Sequence, residues 1–582
     1  MNRIYALLAG LMLSCSLAAQ SSTEIIRLNQ IGFYPNAPKL AAVLSDAAQE
    51  FYIKKQGAQA VVFSGKLSAP RINPFSQKVT KIADFSAFRK SGSYVLEVPG
   101  AGVSWPFEIK KSVHEGAAIG ALRGFYYQRV STALSEQYAG QWARPAGHPD
   151  NQVRIHASAA SATRPEGTVI ASPMGWYDAG DYNKYIVNSG ITMGTLLSLY
   201  EDFPDFCKSL KTNIPESKNA IPDLLDELLW NLRWMLTMQD PADGGVYHKL
   251  TTAEFESMKV MPHQAVAQRY VVQKNTIATL DFAAVTAQAS RVFRAFEKEL
   301  PGLSDSCRIA AEKAWQWARE NPSIRYNQTA MNAQFEPDIN TGAYGDEDDR
   351  DEWIWAAAEL YLCTQNESYY KAISFDFEHA LTVADWSHVK PLGYYSLIRH
   401  EKSLSNLATQ DLPKLKKQVL ALADNLLEGL EKQPYHTVMG KTAKDFVWGS
   451  SGHAANQGVA LVQAFRISGD KKYLQAALGN LDYLLGRNAT GYSFLTGFGD
   501  KPPMHPHHRP SESDGIAAPV PGLLSGGPNP GQQDKCTTYP NRIPDESFVD
   551  DACSYASNEI AINWNAPFVY LVVALEALSG RF

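Results

Sequence analysis

Apolar and polar residues follow two different rhythms along the 582-residue chain, and the rhythm changes near residue 112. Upstream, short apolar runs are bounded by turn residues: "KLAAVLS", "EFYIKK", "AVVFSG", "GSYVLEV" and "WPFEIKK". In "SYVLEV" apolar side chains recur at every second position, which a strand places on one face. Several such strands within residues 24–111 predict a small β-sandwich. Downstream the period is helical. "AIPDLLDELLWNLRWMLTMQ" sets Ile221, Leu225, Leu228, Leu232 and Met235 on one stripe, with Pro222 suited to a first helical turn. "PKLKKQVLALADNLLEGL" does the same with Leu415, Val419, Leu422, Leu426 and Leu430.

Further helical stretches begin near Thr276, Asp305, Asp351, His453, Lys471 and Asn558, with no strand-rich intervals expected between them. Residues 112–582 are too many for a simple bundle. A closed ring of helical hairpins buries that many apolar stripes and leaves one end open for loops, although no sequence repeat accompanies it. Residues 498–550 hold long irregular stretches, "DKPPMHPHHRPSESDG" and "GGPNPGQQDKC". Loops of that length in a compact domain are functional or disordered, and the interleaved His, Arg and Asp favour function.

Composition narrows the classes. With 45% hydrophobic and 20% charged residues and a net charge of -6, the chain has ordinary globular character and no basic surface for nucleic acid. Arg3, the apolar stretch Ala6 to Leu13 and the small residues Ala18 and Ala19 read as a cleaved signal peptide over residues 1–19, which implies a secreted or periplasmic protein. Cys15 as a lipid attachment site is the rival reading. No apolar run is long enough for a membrane span, and a monomer is expected. Five cysteines remain after cleavage: Cys207, Cys307, Cys363, Cys536 and Cys553, none with CxxC spacing. In an exported chain, a disulfide between Cys536 and Cys553 would close a short loop, leaving three buried thiols.

Three places concentrate reactive side chains: Asp178 and Asp181 in "GWYDAGDYNKY", the "HPHHR" stretch with His505, His507, His508 and Arg509, and "FVDDACSYASNEIAINWNAP" with Asp550, Asp551 and Glu559. Taken singly, each has a bland reading: a turn or cap, a surface loop, an acidic residue favouring a helix dipole. Together, carboxylates from separate loops suit glycosidic cleavage, in which a protonated acid serves the leaving oxygen and an ionised carboxylate serves as base or nucleophile. An inverting site leaves room for water, with its carboxylates roughly 6.5–9.5 Å apart. No glycine-rich phosphate loop points to a nucleotide cofactor.

The combination resembles family 9 glycoside hydrolases that carry an N-terminal immunoglobulin-like domain, and the likeness covers nearly the whole mature chain. "IRLNQIGFYPNAPKLAAV" looks like the start of that module. "GWYDAGDYNKY", "SFLTGFGDKPPMHPHHR" and "FVDDACSYASNEIAINWNA" look like the family's aspartate, histidine-arginine and glutamate motifs, in order. The resemblance implies a mostly α fold: an (α/α)6 barrel over residues 112–582 behind an immunoglobulin-like β-sandwich at 24–111 that braces it. It implies inverting hydrolysis of β-1,4-glucans, with Asp181 as base, Asp178 helping to hold the attacking water and Glu559 as acid. His507 and Arg509 fall on substrate-binding positions, and Trp176 and Tyr555 are expected sugar contacts. The chemistry requires no cofactor. Relatives also bind structural calcium, for which Asp351 and Glu352 in "DEDDRDEWIWAAAEL" are the candidates; an acidic first helical turn is the competing reading. Some relatives hold zinc through a Cys-His pair, but here Gly147 precedes His148. Endo-acting cleavage of cellulose or a soluble β-glucan is the expectation. The alternatives are an exo-acting glucosaminidase of the same fold, with "DEDDRDE" as a source of acidic groups for an amino sugar, and a non-catalytic carbohydrate-binding protein.

Overall fold

The computed structural model describes residues 24–582. The signal-peptide reading, Cys15 included, lies outside them. Ten short strands between Ile26 and Ile109 form two sheets. One has the order β1(Ile26–Arg27)-β3(Leu40–Val43)-β7(Val79–Asp84)-β6(Arg71–Ile72). The other runs β2(Gly32–Phe33)-β10(Phe107–Ile109)-β8(Gly92–Val98)-β4(Glu50–Lys55)-β5(Val61–Lys66), with β9(Gly102–Val103) added beside β8. β8 carries out its alternation: Tyr94, Leu96 and Val98 are buried among Phe33, Phe51 and Phe107. β3 departs from it, because all four residues are buried. Ala41 and Val43 face the sandwich core, while Leu40 and Ala42 pack on Tyr435 and Ala489 of the helical domain.

That second contact fixes the sandwich as a brace. Asn29 donates to Asp482 at 2.8 Å, Gln30 to the Gly491 carbonyl at 2.8 Å and Thr80 to the Pro434 carbonyl at 2.8 Å. Tyr34 reaches Glu576 near the end of the last long helix.

The helical domain is an (α/α)6 barrel. Its inner ring consists of α2(Ile186–Asp202), α4(Thr276–Phe293), α6(Arg350–Thr364), α8(Lys390–Arg399), α10(Ser450–Ser468) and α12(Ile562–Ala577). Each follows an outer partner: α1(Glu115–Tyr127), α3(Asp223–Thr237), α5(Leu303–Glu320), α7(Glu367–Lys371), α9(Leu412–Leu427) and α11(Lys471–Leu484). Sequence and position agree in physical terms. α9 buries only Leu415, Val419, Ala423 and Leu426, one stripe of an outer helix. α2 and α4 are buried almost all round, as helices enclosed by neighbours on every side must be.

One expectation fails. The barrel domain does contain a sheet, in the order β12(Val169–Ile170)-β11(Val153–Ile155)-β15(Arg269–Val271)-β14(Lys249–Thr252)-β13(Lys184–Tyr185). Strands of two to four residues complete too few alternations to register as a pattern. The sheet matters because β13 continues directly from the aspartate loop. Cys536 and Cys553 are joined as a disulfide, with Cα atoms 5.6 Å apart, and Cys207, Cys307 and Cys363 are free and buried. Among the described residues, no helix is long and apolar enough to cross a membrane.

Candidate active site

The aspartate loop runs from Gly175 into β13. Gly175 has φ +83°, and a Cβ there would lie 2.8 Å from the Trp234 ring. The aromatic residues beside the aspartates mostly turn inward, which corrects the expectation for Trp176. It is 0% exposed, packs on Phe125 at 4.7 Å, and its Nε1 donates to Glu227 at 2.8 Å. A buried indole N–H needs an acceptor, and Glu227, itself paired with Arg129, supplies it. Trp176 therefore anchors the loop to α3 and is not among the residues lining the cleft. Tyr177 and Tyr182 are likewise buried, against His148.

Three loops converge through main-chain bonds. A Cβ at position 180 would lie 2.0 Å from the His507 carbonyl oxygen, so only glycine permits this approach. The Gly180 carbonyl accepts from the backbone and the Nη1 of Arg509, at 3.2 and 2.7 Å. His507 N donates to the Asn558 carbonyl at 2.9 Å, and Ile562 N to the Asp178 carbonyl at 2.9 Å. Asp178, Asp181, His507, Arg509, Tyr555 and Glu559 thus border one cleft of about 840 Å³. Glu559 stands between the short helical turn Tyr555–Asn558 and α12 rather than on a helix.

Asp178 accepts from Asn188 Nδ2 at 2.6 Å on one oxygen and from the Tyr344 hydroxyl at 2.8 Å on the other. Asp181 accepts from Asn183 at 2.7 Å and the Tyr185 hydroxyl at 3.1 Å, both on Oδ2. Its Oδ1 has no protein donor among the described residues. Burial, and then the charge of Asp181, raises the pKa of Asp178. The pair accordingly holds one negative charge more readily than two. Burial also lifts Glu559 well above the ordinary carboxylate range; Asp181 and Asp178 add to this, while Arg509 opposes it. Glu559 keeps a proton where an exposed glutamate has lost one.

His507 bonds the Ala552 carbonyl through Nδ1 at 2.6 Å, which makes Nδ1 the protonated nitrogen and Nε2 an acceptor. Arg509 also donates to the Glu256 carbonyl and lies over Phe255. Tyr555 stacks obliquely on Trp448, with ring centroids 5.3 Å apart. Phe255 and Trp448 line the cleft yet remain 47% and 42% exposed. Large apolar rings left open to water beside polar groups suit sugar faces. Tyr344, Asn188, Tyr185, Trp386 and Trp448 were absent from the sequence-derived site. An isolated Tyr or Asn carries no pattern, and only the aromatic content hinted at the rest.

Asp351 and Glu352 lie outside the cleft, as does the whole "DEDDRDE" run, so that run supplies no acidic groups to a sugar there. They form a second cluster with Asp281 of α4 and Asp346. Both carboxylate oxygens of Asp281 and of Glu352, and Oδ2 of Asp346, are buried without a hydrogen-bond donor. Asp351 accepts from Val389 N at 2.6 Å. Burial raises all four carboxyls, and neighbouring acids add to this for Asp281, Glu352 and Asp346. Orphaned hard oxygen atoms fit a calcium ion. No three of these residues bring ligand atoms within 4.8 Å of one another, so a cation would draw them together. Cys536, Asp551 and Cys553 do meet that distance, but the disulfide removes the thiolates a metal needs. His148 joins no group of three metal-ligating side chains among the described residues, and its Nδ1 bonds the Tyr177 hydroxyl at 2.7 Å.

Fold and site together define a glycoside hydrolase. The profile of glycosyl hydrolase family 9 matches residues 115–572, and that of the cellulase N-terminal immunoglobulin-like domain matches residues 21–103. The chain belongs to glycosyl hydrolase family 9. It is 49% identical to a xyloglucan-specific endo-β-1,4-glucanase of Bacteroides ovatus, across 99% of this chain and 98% of that one. It is 35% identical to endoglucanase D of Acetivibrio thermocellus, across 94% of this chain and 82% of that one. Among solved structures, a family 9 protein of Bacteroides ovatus superposes with a TM-score of 0.91 at 49% identity, covering 96% of this chain and 99% of that one. An endoglucanase variant of Alicyclobacillus acidocaldarius superposes at 0.84 with 30% identity, covering 95% of this chain and 100% of that one. Endo-β-glucan hydrolysis follows as the class of activity, and glycoside hydrolysis itself needs no cofactor.

Proposed function

We propose that the protein is an exported, inverting endo-β-1,4-glucanase acting on soluble β-glucans, with xyloglucan as the foremost candidate. The observation that carries the mechanism is the meeting of a proton-holding Glu559 with the Asp178–Asp181 pair in one cleft. Glu559 gives its proton to the leaving glycosidic oxygen. Asp181, whose Oδ1 is free of protein donors, takes a proton from the attacking water, and Asp178 helps to orient that water. His507 and Arg509 hold sugar hydroxyls, and Trp448, Tyr555 and Phe255 offer ring faces. The volume of the cleft suits an oligosaccharide segment rather than a single sugar. Xyloglucan enters through the Bacteroides ovatus relative, whose likeness runs the length of both chains. Asp281, Asp346, Asp351 and Glu352 would hold a structural calcium ion that takes no part in the chemistry.

Product analysis tests this reading. Purified protein incubated with tamarind xyloglucan, a cello-hexamer and a glucosamine hexamer should cut the first two internally, releasing oligosaccharides of mixed length. Stepwise release of monomer, above all from the glucosamine chain, would overturn both the substrate and the endo mode.

A further inference from the structure

Behind the aspartates lies a charge that the mechanism above does not use. Lys249 of β14 is fully buried, yet no carboxylate among the described residues lies within ion-pair distance of its Nζ. Its ammonium donates to Gln328 Oε1 at 2.7 Å, Thr341 Oγ1 at 3.0 Å and the Gly342 carbonyl at 2.7 Å. Three oxygen neighbours use all three N–H bonds of an ammonium. Nζ also lies 5.6 Å from the Tyr185 ring and 5.5 Å from the Tyr326 ring, contacts that favour the cation. A methionine would fill similar space without the cost of desolvating a charge.

What Lys249 touches leads directly to the candidate catalytic pair. Its backbone is in register with Tyr185, whose hydroxyl donates to Asp181. The segment it grips, Thr341 and Gly342, continues through Ala343 to Tyr344, whose hydroxyl donates to Asp178. The neighbouring His248 holds the same segment through the Ala343 carbonyl at 2.7 Å. We propose that Lys249 is a positioning residue for hydrolysis: its buried ammonium fixes the Thr341–Tyr344 segment against Tyr185, so that two tyrosine hydroxyls reach Asp178 and Asp181, and sets a positive charge without a salt-bridge partner on the Asp181 side of the pair. The proposal rests on the reading of Asp178 and Asp181 as the water-handling pair. Burial lowers the lysine's own pKa, and Asp181 is the carboxylate that opposes this.

Other groups face the pair as well. Asn183 and Tyr185 bond Asp181, while Asn188 and Tyr344 bond Asp178. His507, Arg509 and Glu559 approach from the other two loops. Tyr185, Tyr326 and His248 surround the lysine itself.

The test compares Lys249→Met, Lys249→Arg and Asp181→Asn in the full chain, with kcat and KM measured across pH. Removing a positive charge disfavours carboxylate ionisation. Lys249→Met should therefore lose at least about ten-fold in kcat with KM within about two-fold, and the acid limb of kcat/KM should move upward by on the order of one pH unit. Lys249→Arg, which keeps the charge, should leave that limb nearer its original place. A folded Lys249→Met with parental kcat and an unmoved acid limb overturns the proposal, provided Asp181→Asn is inactive. An active Asp181→Asn overturns the reading of the pair, and this proposal with it. Should Lys249→Met fail to fold, Thr341→Val removes one acceptor from the ammonium; a lowered kcat at unchanged KM supports the role, and a parental kcat contradicts it.

Discussion

Two groups of carboxylates sit in this barrel domain and differ in almost every physical respect. Asp178, Asp181 and Glu559 border a cleft, and each aspartate receives two hydrogen bonds from neutral donors. Asp281 and Glu352 are buried between α4 and α6, Asp346 and Asp351 are half-buried beside them, and several of the group's oxygens receive no donor at all. Burial raises pKa values in both groups, yet only the first group lines the cleft. A raised pKa therefore does not mark catalysis by itself. The accompanying donors and the opening to solvent do. The donor-poor group fits the cation proposed for it, and the cleft group fits the proton transfers proposed for it.

The strongest way to break this contrast is to remove carboxylates from the open group. Glu559→Gln and Asp181→Asn should each lower kcat on unactivated glucans by about 10²–10⁴-fold, with the melting temperature held near that of the parent protein. Glu352→Gln should show the reverse pattern in calorimetry: stability loses its calcium dependence while kcat at moderate temperature stays within a few-fold.

Tyr344→Phe comes next, since it deletes one hydrogen bond to Asp178. A bond to a charged group contributes about 1.5–3 kcal/mol, so steady-state assays should show a loss of roughly ten-fold or more. Calcium removal should act on stability. A ligand at a hundred times its Kd stabilises by about 2.7 kcal/mol, so chelation should lower the melting temperature measurably, and calcium, unlike magnesium, should restore it. The smallest effect belongs to the cleft rim: Trp448→Ala loses a sugar-facing ring and should raise KM by about two- to ten-fold with kcat little changed.

The pH profile sharpens the same contrast. The proposed mechanism needs at least one negative charge on the aspartate pair and a proton on Glu559, so kcat/KM should fall on the acid side as the pair loses its remaining charge. On the alkaline side it should fall as pH passes the pKa of Glu559. Because burial raises that pKa, the alkaline limb should lie well above the usual glutamate range.

Much of this architecture could be read from the chain because the relevant signals repeat. α9 carries one apolar stripe, the stripe expected on α3 is buried along with most of that helix, and β8 alternates cleanly. Asp178, Asp181, His507, Arg509 and Glu559 fall in three stretches that concentrate reactive side chains, and the resemblance to family 9 supplied their expected roles. The parts that escaped lack such repetition. β13 is two residues long, Tyr344 and Asn188 are single side chains brought in by tertiary folding, and Lys249 opens a four-residue strand too short to register as a pattern. Trp176 misled for a different reason. Two residues before Asp178, it turns inward to Phe125 and Glu227, tertiary partners that no local pattern announces.

The most direct test of the central claim is the anomeric configuration of the first product, followed by proton NMR in the minutes after enzyme is added to a cello-oligosaccharide or xyloglucan oligosaccharide. A water held by the aspartates and attacking opposite Glu559 predicts the α-anomer first, with β appearing only through mutarotation. Initial release of the β-anomer would mean a retaining, double-displacement route and would contradict the roles assigned to Asp178 and Asp181.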